Sequence, residues 1–169
     1  MQFYILENIL IKEISEDEYR KKHNYINEKK LLYEIMIKAK TQNVSNFSEN
    51  ISQEVQTIIN DFRGQRRNFC LSYEEKYIGY ISFAEYDSIS PEIQITIAED
   101  WRNKGIGYQS LKELIKQLFD EREDIKYFLY CVKHDNYPSI KLVEKLGGKI
   151  NNRGDDFLDK FIKRYCIYR

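Results

Sequence analysis

The spacing of polar and apolar residues changes period several times along the chain, and each change marks an element. The opening "MQFYILENILIKEI" reads as two short strands around Glu7 and Asn8. From Ser15 to about Lys40 the spacing turns helical, and a second helix is expected from about Ser48 to Asp61. "NFCLSY" (68–73) and "YIGYISFAEY" (77–86) are aromatic and β-branched, and they flank the charged turn "EEK" as a hairpin would. "EIQITIA" (92–98) alternates, with Ile93, Ile95 and Ile97 on one side and Glu92, Gln94 and Thr96 on the other. After "WRNKGIG" the period lengthens again: Tyr108, Leu111, Leu114, Ile115, Leu118 and Phe119 recur at steps that form one helical stripe. "IKYFLYCV" (125–132) is a further strand. "PSIKLVEKLGG" is a short helix with Pro138 in its first turn and its end at Gly147, and "DKFIKRYCIYR" is a last strand.

Read in order, these elements give a mixed α/β fold with a mostly antiparallel sheet, and the strand–loop–helix–strand crossover supplies one parallel pair. No repeat, low-complexity tract or proline-rich linker interrupts the 169 residues, so a single domain over 1–169 is expected. Lysine plus arginine balances aspartate plus glutamate at 27 each. No overall field therefore draws the chain to nucleic acid or an anionic membrane. The one basic cluster, Arg63 to Arg67, reads as a solvated loop with phosphate contact as its alternative. Cys70, Cys131 and Cys166 lack metal-site spacing, and no metal is implied; they read as buried thiols in a reducing compartment. With no signal-like or membrane-spanning run, a cytoplasmic protein is expected. Exposed strand edges and many aromatics are compatible with a homodimer.

Two of only seven glycines, Gly105 and Gly107, stand where a strand hands over to a helix. A helix start aims unpaired N–H groups and a positive dipole end at one spot, which favours an anion. Glycine permits positive φ and lacks the Cβ that would hold a phosphate off the backbone, so the pair suits a pyrophosphate cradle. A ligand-free tight turn is the competing explanation. A Walker loop fails because no Gly-Lys-Ser/Thr follows at the right distance. A dinucleotide fingerprint fails because Ser110 stands where its third small residue belongs, and Val132 and Lys133 where its acid belongs.

"RNKGIG" resembles the Gln/Arg-x-x-Gly-x-Gly/Ala loop of the GNAT family of acyl-CoA-dependent N-acetyltransferases. "HDNYPSIKLVEKLGG" is similar to that family's second signature, and "PEIQITIAEDWRNKGIG" is most similar to the ribosomal-protein and polyamine branch. The resemblance covers roughly residues 68 to 168. It implies a six- to seven-stranded sheet with a central splayed parallel pair flanked by helices. Residues 68–169 would form the cofactor-binding core and 1–67 would shape the acceptor site.

By the same resemblance acetyl-CoA is the co-substrate. Arg102, Lys104, Gly105, Gly107 and Tyr108 would meet its pyrophosphate, mainly through the backbone. Ile95 and Ile97 would offer backbone groups to the pantetheine arm and thioester, and Asn136 and Ser139 would also contact the cofactor. Helix capping is the alternative for these last two.

Acyl transfer to an amine needs a base, because an alkyl ammonium has a pKa of about 10. Glu92 matches the family's acidic residue at the start of its strand and is the expected base or amine-orienting group, with Glu85 and His134 in reserve. The tyrosine that protonates the leaving thiolate in the family corresponds to Val143 here, so Tyr137, or Tyr130, is expected to substitute. Gly148 also replaces the aromatic residue that usually follows the glycine at the helix end. The expected activity is N-acetyl transfer to a primary amine, such as a polyamine, another small amine or a protein N-terminus. An acyl-CoA-binding sensor without strong catalysis is the alternative, and a nucleic-acid module through Arg63, Arg66 and Arg67 is a more distant one.

Overall fold

The computed structural model of the chain describes residues 3–6, 8–15, 17–19, 65–151 and 162–169. Eight strands form one sheet: β1 (Phe3–Leu6), β2 (Ile9–Ile14), β3 (Arg67–Tyr73), β4 (Lys76–Ala84), β5 (Glu92–Ile97), β6 (Tyr127–Lys133), β7 (Lys149–Ile150) and β8 (Ile162–Tyr168). Their spatial order is β1-β2-β3-β4-β5-β6-β8-β7, and every neighbour is antiparallel except the pair β5–β6. The mostly antiparallel sheet and its central parallel pair are therefore present. The count exceeds the expected six to seven because β7 is only two residues long, too short to show any alternation in the sequence.

The β3–β4 turn is tighter than "EEK" suggests. Glu74 and Glu75 both have positive φ, 47° and 65°, so a two-residue turn suffices and Lys76 already belongs to β4. At Ser15 the expected helix does begin. The Ser15 Oγ accepts the Glu18 N–H (3.2 Å) while the Glu18 carboxylate accepts the Ser15 N–H (3.1 Å), a reciprocal capping box. The continuation of that helix and the one expected over 48–61 lie outside the described residues.

Two helices, α1 (Ile106–Glu121) and α2 (Tyr137–Lys145), cover one face of the sheet. The α1 stripe buries Leu111, Leu114, Ile115, Leu118 and Phe119, and Ile106 and Ser110 join them. They pack with Phe69, Phe83, Ile93, Phe128 and Val132 of the strands and with Ile140 and Val143 of α2. Fully burying each such aliphatic or aromatic side chain stabilises the fold by roughly 1.5–3 kcal/mol, which makes this layer the main source of stability. A smaller apolar cluster, Ile14, Tyr19, Cys70 and Tyr80, sits apart from it. Cross-strand partners share a face, so Ile14, Cys70 and Tyr80 stand in register with Asn68, Lys12 and Thr96, on the face opposite α1 and α2.

Candidate active site

Strand β5 is the hinge of the site. Against β4 it pairs from Glu92 to Ile97, but against β6 only Glu92↔Leu129 and Ile93↔Tyr130 are in register. Beyond Ile93 the two parallel strands part. Leu129 N–H donates to Pro91 C=O (2.9 Å), whereas Ala98 N–H donates across to Ile78 C=O (2.8 Å). Backbone polar groups of successive strand residues point to alternate sides. Odd-numbered residues of β5 therefore turn theirs toward β6, and those of Ile95 and Ile97 lie on the side of the gap. Arg102 closes one end of it, its Nε donating to Ile97 C=O at 2.9 Å.

The gap leads to the start of α1. Gly105 is the N-cap, with φ 79° in the left-handed region and no side-chain acceptor on the helix N-terminus. The helical ladder begins only with Gln109 N–H to Gly105 C=O (3.0 Å). The N–H groups of Ile106, Gly107 and Tyr108 precede that ladder and carry the positive end of a 16-residue helix. A Cβ at Gly105 would meet nothing within 4 Å, so the space beside this residue is open.

Gly107 has a different reason to be glycine from the one its sequence context suggests. A Cβ there would lie 3.2 Å from Ile95 Cδ1 and 3.7 Å from Ile97 Cγ1, pointing into the helix–sheet interface and not out toward a phosphate. Close packing of α1 on β5 requires it, and that packing is what brings the helix N-terminus to the mouth of the gap.

Cationic and aromatic groups surround the turn. Lys104 Nζ lies over Trp101 (4.9 Å), whose ring packs on Tyr73, and Lys145 Nζ lies over Tyr108 (4.2 Å). Lys145 belongs to α2, so only the contact between the two helices reveals its place; local spacing carries no signal for it. At the other end of α2, the Asn136 side chain caps the helix by accepting Ser139 N–H (3.3 Å). Ser139 Oγ is 2.6 Å from Tyr130 OH. The capping expectation for Asn136 is thus realised, and Ser139 is tied to a buried phenol. Burial raises the pKa of that phenol more than the Ser139 bond lowers it, so Tyr130 stays protonated.

Glu92 lies on the face opposite α1, together with Gln94 and Thr96 and with Leu129 and Cys131 of β6. Burial pushes the Cys131 thiol pKa well up, and the Glu92 carboxylate, near enough to bond it, pushes it further. Glu85, held at φ 51°, follows the end of β4, and His134 is exposed just past β6.

The cluster Arg63–Arg67 is not one patch. Arg67 bonds both Glu13 oxygens (2.7 and 3.0 Å), Glu121 and Tyr86 on the helix side. Burial opposes its charge, but these bonds outweigh it and raise its pKa. Arg66 turns to the opposite face, and Arg63 lies outside the described residues.

Residues 30–148 match the family model described as the Acetyltransferase (GNAT) family. The chain belongs to the GNAT family.

None of the curated proteins matches it. Solved structures share the fold at low identity. The spermidine N-acetyltransferase from Vibrio cholerae, in complex with CoA and spermine, has a TM-score of 0.60 at 19% identity over 96% of both chains. The ribosomal-protein-S5-alanine acetyltransferase from Vibrio fischeri has a TM-score of 0.64 at 13% identity, covering 99% of this chain and 97% of that one. The ribosomal L7/L12 α-N-protein acetyltransferase RimL, in complex with coenzyme A, has a TM-score of 0.61 at 18% identity, covering 99% and 98%.

Within this GNAT chain the departures from the family pattern have a packing reason. Val143 is fully buried on the inner side of α2. A Cβ at Gly148 would lie 2.6 Å from Val143 Cγ2 and 2.8 Å from its carbonyl oxygen, which leaves no room there for an aromatic residue. Tyr137, the expected substitute for the missing tyrosine, opens α2 and is 67% exposed. Among the described residues, no metal-binding group of His, Cys, Asp or Glu forms.

Proposed function

We propose that this protein transfers the acetyl group of acetyl-CoA to a primary amine within a ternary complex. The observation that carries the reading is the open N-terminus of α1 at the point where β5 and β6 separate. The residues present fit the co-substrate: three N–H groups stand outside the helical ladder, the space beside Gly105 is open, and the Ile95 backbone has no strand on its gap side. The N–H groups of Ile106, Gly107 and Tyr108 would hold the pyrophosphate, with Arg102, Lys104 and Lys145 adding positive charge around it. Ile95 would bond the pantetheine arm. When bound, acetyl-CoA supplies an activated thioester for the amine to attack.

The chain's own contribution is positioning and proton handling. Glu92, on the far face of β5 at the start of the gap, takes the ammonium proton directly or through one water, which leaves a neutral amine. Its neighbour Cys131 stays a neutral thiol, so the only negative charge this pair presents to an incoming ammonium is the carboxylate. Tyr137, exposed at the start of α2, is the group proposed to return a proton to the departing thiolate. Tyr130 is bonded to Ser139, and burial raises its pKa above the ordinary phenol value. Free thiols at Cys70, Cys131 and Cys166 suit a cytoplasmic setting.

Val143 in the tyrosine position favours a second reading, an acyl-CoA-binding sensor with little turnover. Thiol release from acetyl-CoA across polyamines, aminoglycosides, amino acids and peptide N-termini tests both. Release with any of these supports transfer, and tight cofactor binding with no release supports the sensor.

A further inference from the structure

The face of the sheet that carries Glu92 also carries a guanidinium with no counter-charge among the described residues. Arg66 Nη1 donates to Gln94 Oε1 at 3.2 Å and to Ser82 Oγ at 3.4 Å, and Ser82 Oγ donates onward to Asn68 Oδ1 at 2.8 Å. Ser82 and Asn68 are buried, so this row is fixed from below. Every acceptor in it is neutral, and no carboxylate among the described residues pairs with Arg66. Its buried Nε has no acceptor among the described residues. The next residue shows the contrast: Arg67 is bound by two carboxylates. A guanidinium presents five N–H donors in a fork shaped for a carboxylate, and in Arg66 most of them are unused.

Gln94 and Glu92 are two residues apart on one strand and face, roughly 7 Å along it. An acceptor whose ammonium sits at Glu92 therefore extends toward Arg66. Along the same face stand Lys12, in register with Cys70, and Lys133, at the next same-face position of β6 after Cys131. Glu92 is the one acid on this face among the described strands β2 to β6. A polyamine would set its second ammonium against cations, whereas an anionic group would be received by them.

We propose that Arg66 is a specificity-determining residue that binds the carboxylate of the acceptor, and that the acceptor is a free amino acid or similar amine bearing a carboxylate a few bonds from its nitrogen. The proposal rests on the acetyl-transfer reading and narrows it. Glu92 takes one end of the zwitterion and Arg66 the other.

The test compares each of several amino acids with the amine left when its carboxyl group is removed, and with spermidine, by thiol release from acetyl-CoA. The amino acids should exceed their decarboxylated partners in kcat/KM by roughly 10- to 100-fold, the range for a hydrogen bond between charged groups. Arg66→Gln should erase that preference through KM, while turnover of the decarboxylated amines and affinity for CoA stay unchanged. Arg66→Lys, which keeps the charge but loses the fork, should fall between. Spermidine ahead of every amino acid overturns the assignment without touching acetyl transfer. Loss of CoA affinity in Arg66→Gln also overturns it, because Arg66 would then belong to the cofactor site. No thiol release from any amine sinks the transfer reading, and this proposal with it.

Discussion

A Cβ placed on Gly107 would come within 3.2 Å of Ile95 Cδ1, so the second glycine of "RNKGIG" sets how closely α1 approaches β5. Gly105 is different: its φ of 79° favours glycine, and the space beside it is empty. One motif thus carries two physical demands, a backbone conformation and a close approach.

These demands separate by mutation. Gly107→Ala needs only the flexible end of Ile95 to give way and should change stability little. Gly107→Val must also displace Ile97 or Leu142, and should cost about 1–3 kcal/mol by overpacking. Gly105→Ala should cost about 1–2 kcal/mol through left-handed backbone strain alone. Thermal unfolding of the three variants checks the order, and a Gly107→Val protein as stable as the parent would rule out the close helix–strand packing.

Glu92→Gln should lower kcat by roughly 10²–10⁴-fold if the carboxylate accepts the amine proton, and should remove the acidic limb of the pH–rate profile. The same variant offers a readout that does not depend on activity. Glu92 helps to hold the Cys131 thiol pKa up, after burial. Its neutralisation should therefore speed alkylation of Cys131 at pH 8, and an unchanged rate would show that the two side chains do not meet.

Tyr137→Phe should reduce kcat with little effect on KM, while Tyr130→Phe should mainly reduce stability through its lost bond to Ser139. Equal kcat values for Tyr137→Phe and the parent would move proton delivery to water. Val143→Tyr is expected to unfold or distort the domain, because Val143 has no solvent access and Gly148 packs against it. Circular dichroism distinguishes that outcome from simple gain of a hydroxyl.

Alkaline pH should destabilise the fold in a predictable sense. The native state keeps Tyr130 and Cys131 protonated, with both pKa values raised mainly by burial above the ordinary 10.0 and 9.0. Their contribution is complete below the unfolded pKa values and is lost as pH rises from about 9 toward the folded ones. Urea unfolding at pH 8 and 10.5 should show the loss, and Tyr130→Phe with Cys131→Ala should reduce it. A parent protein equally stable at both pH values would contradict this.

Local pattern was enough for much of this protein. The alternation of Glu92–Ile97, the stripe from Leu111 to Phe119 and the glycine-marked helix start follow from periods of two and 3.6 residues, which are properties of short segments. The candidate cofactor loop was legible as a glycine-marked turn for the same reason, since strand, turn and helix are contiguous. The box formed by Ser15 and Glu18 also lies within four residues.

Tertiary structure alone decided what those segments do to one another. The divergence of β5 from β6 after Ile93, the inward direction of the Gly107 side-chain position and the arrival of Lys145 at Tyr108 each depend on elements far apart in the chain. So does the division of adjacent Arg66 and Arg67 between two faces: one is neutralised by Glu13 and Glu121, and the other is left with only neutral partners among the described residues. A charge cluster in a sequence has no sign of its own partners. Those are assigned when alternate strand residues turn to opposite sides of a sheet, and that turn makes one arginine structural and the other available to a ligand.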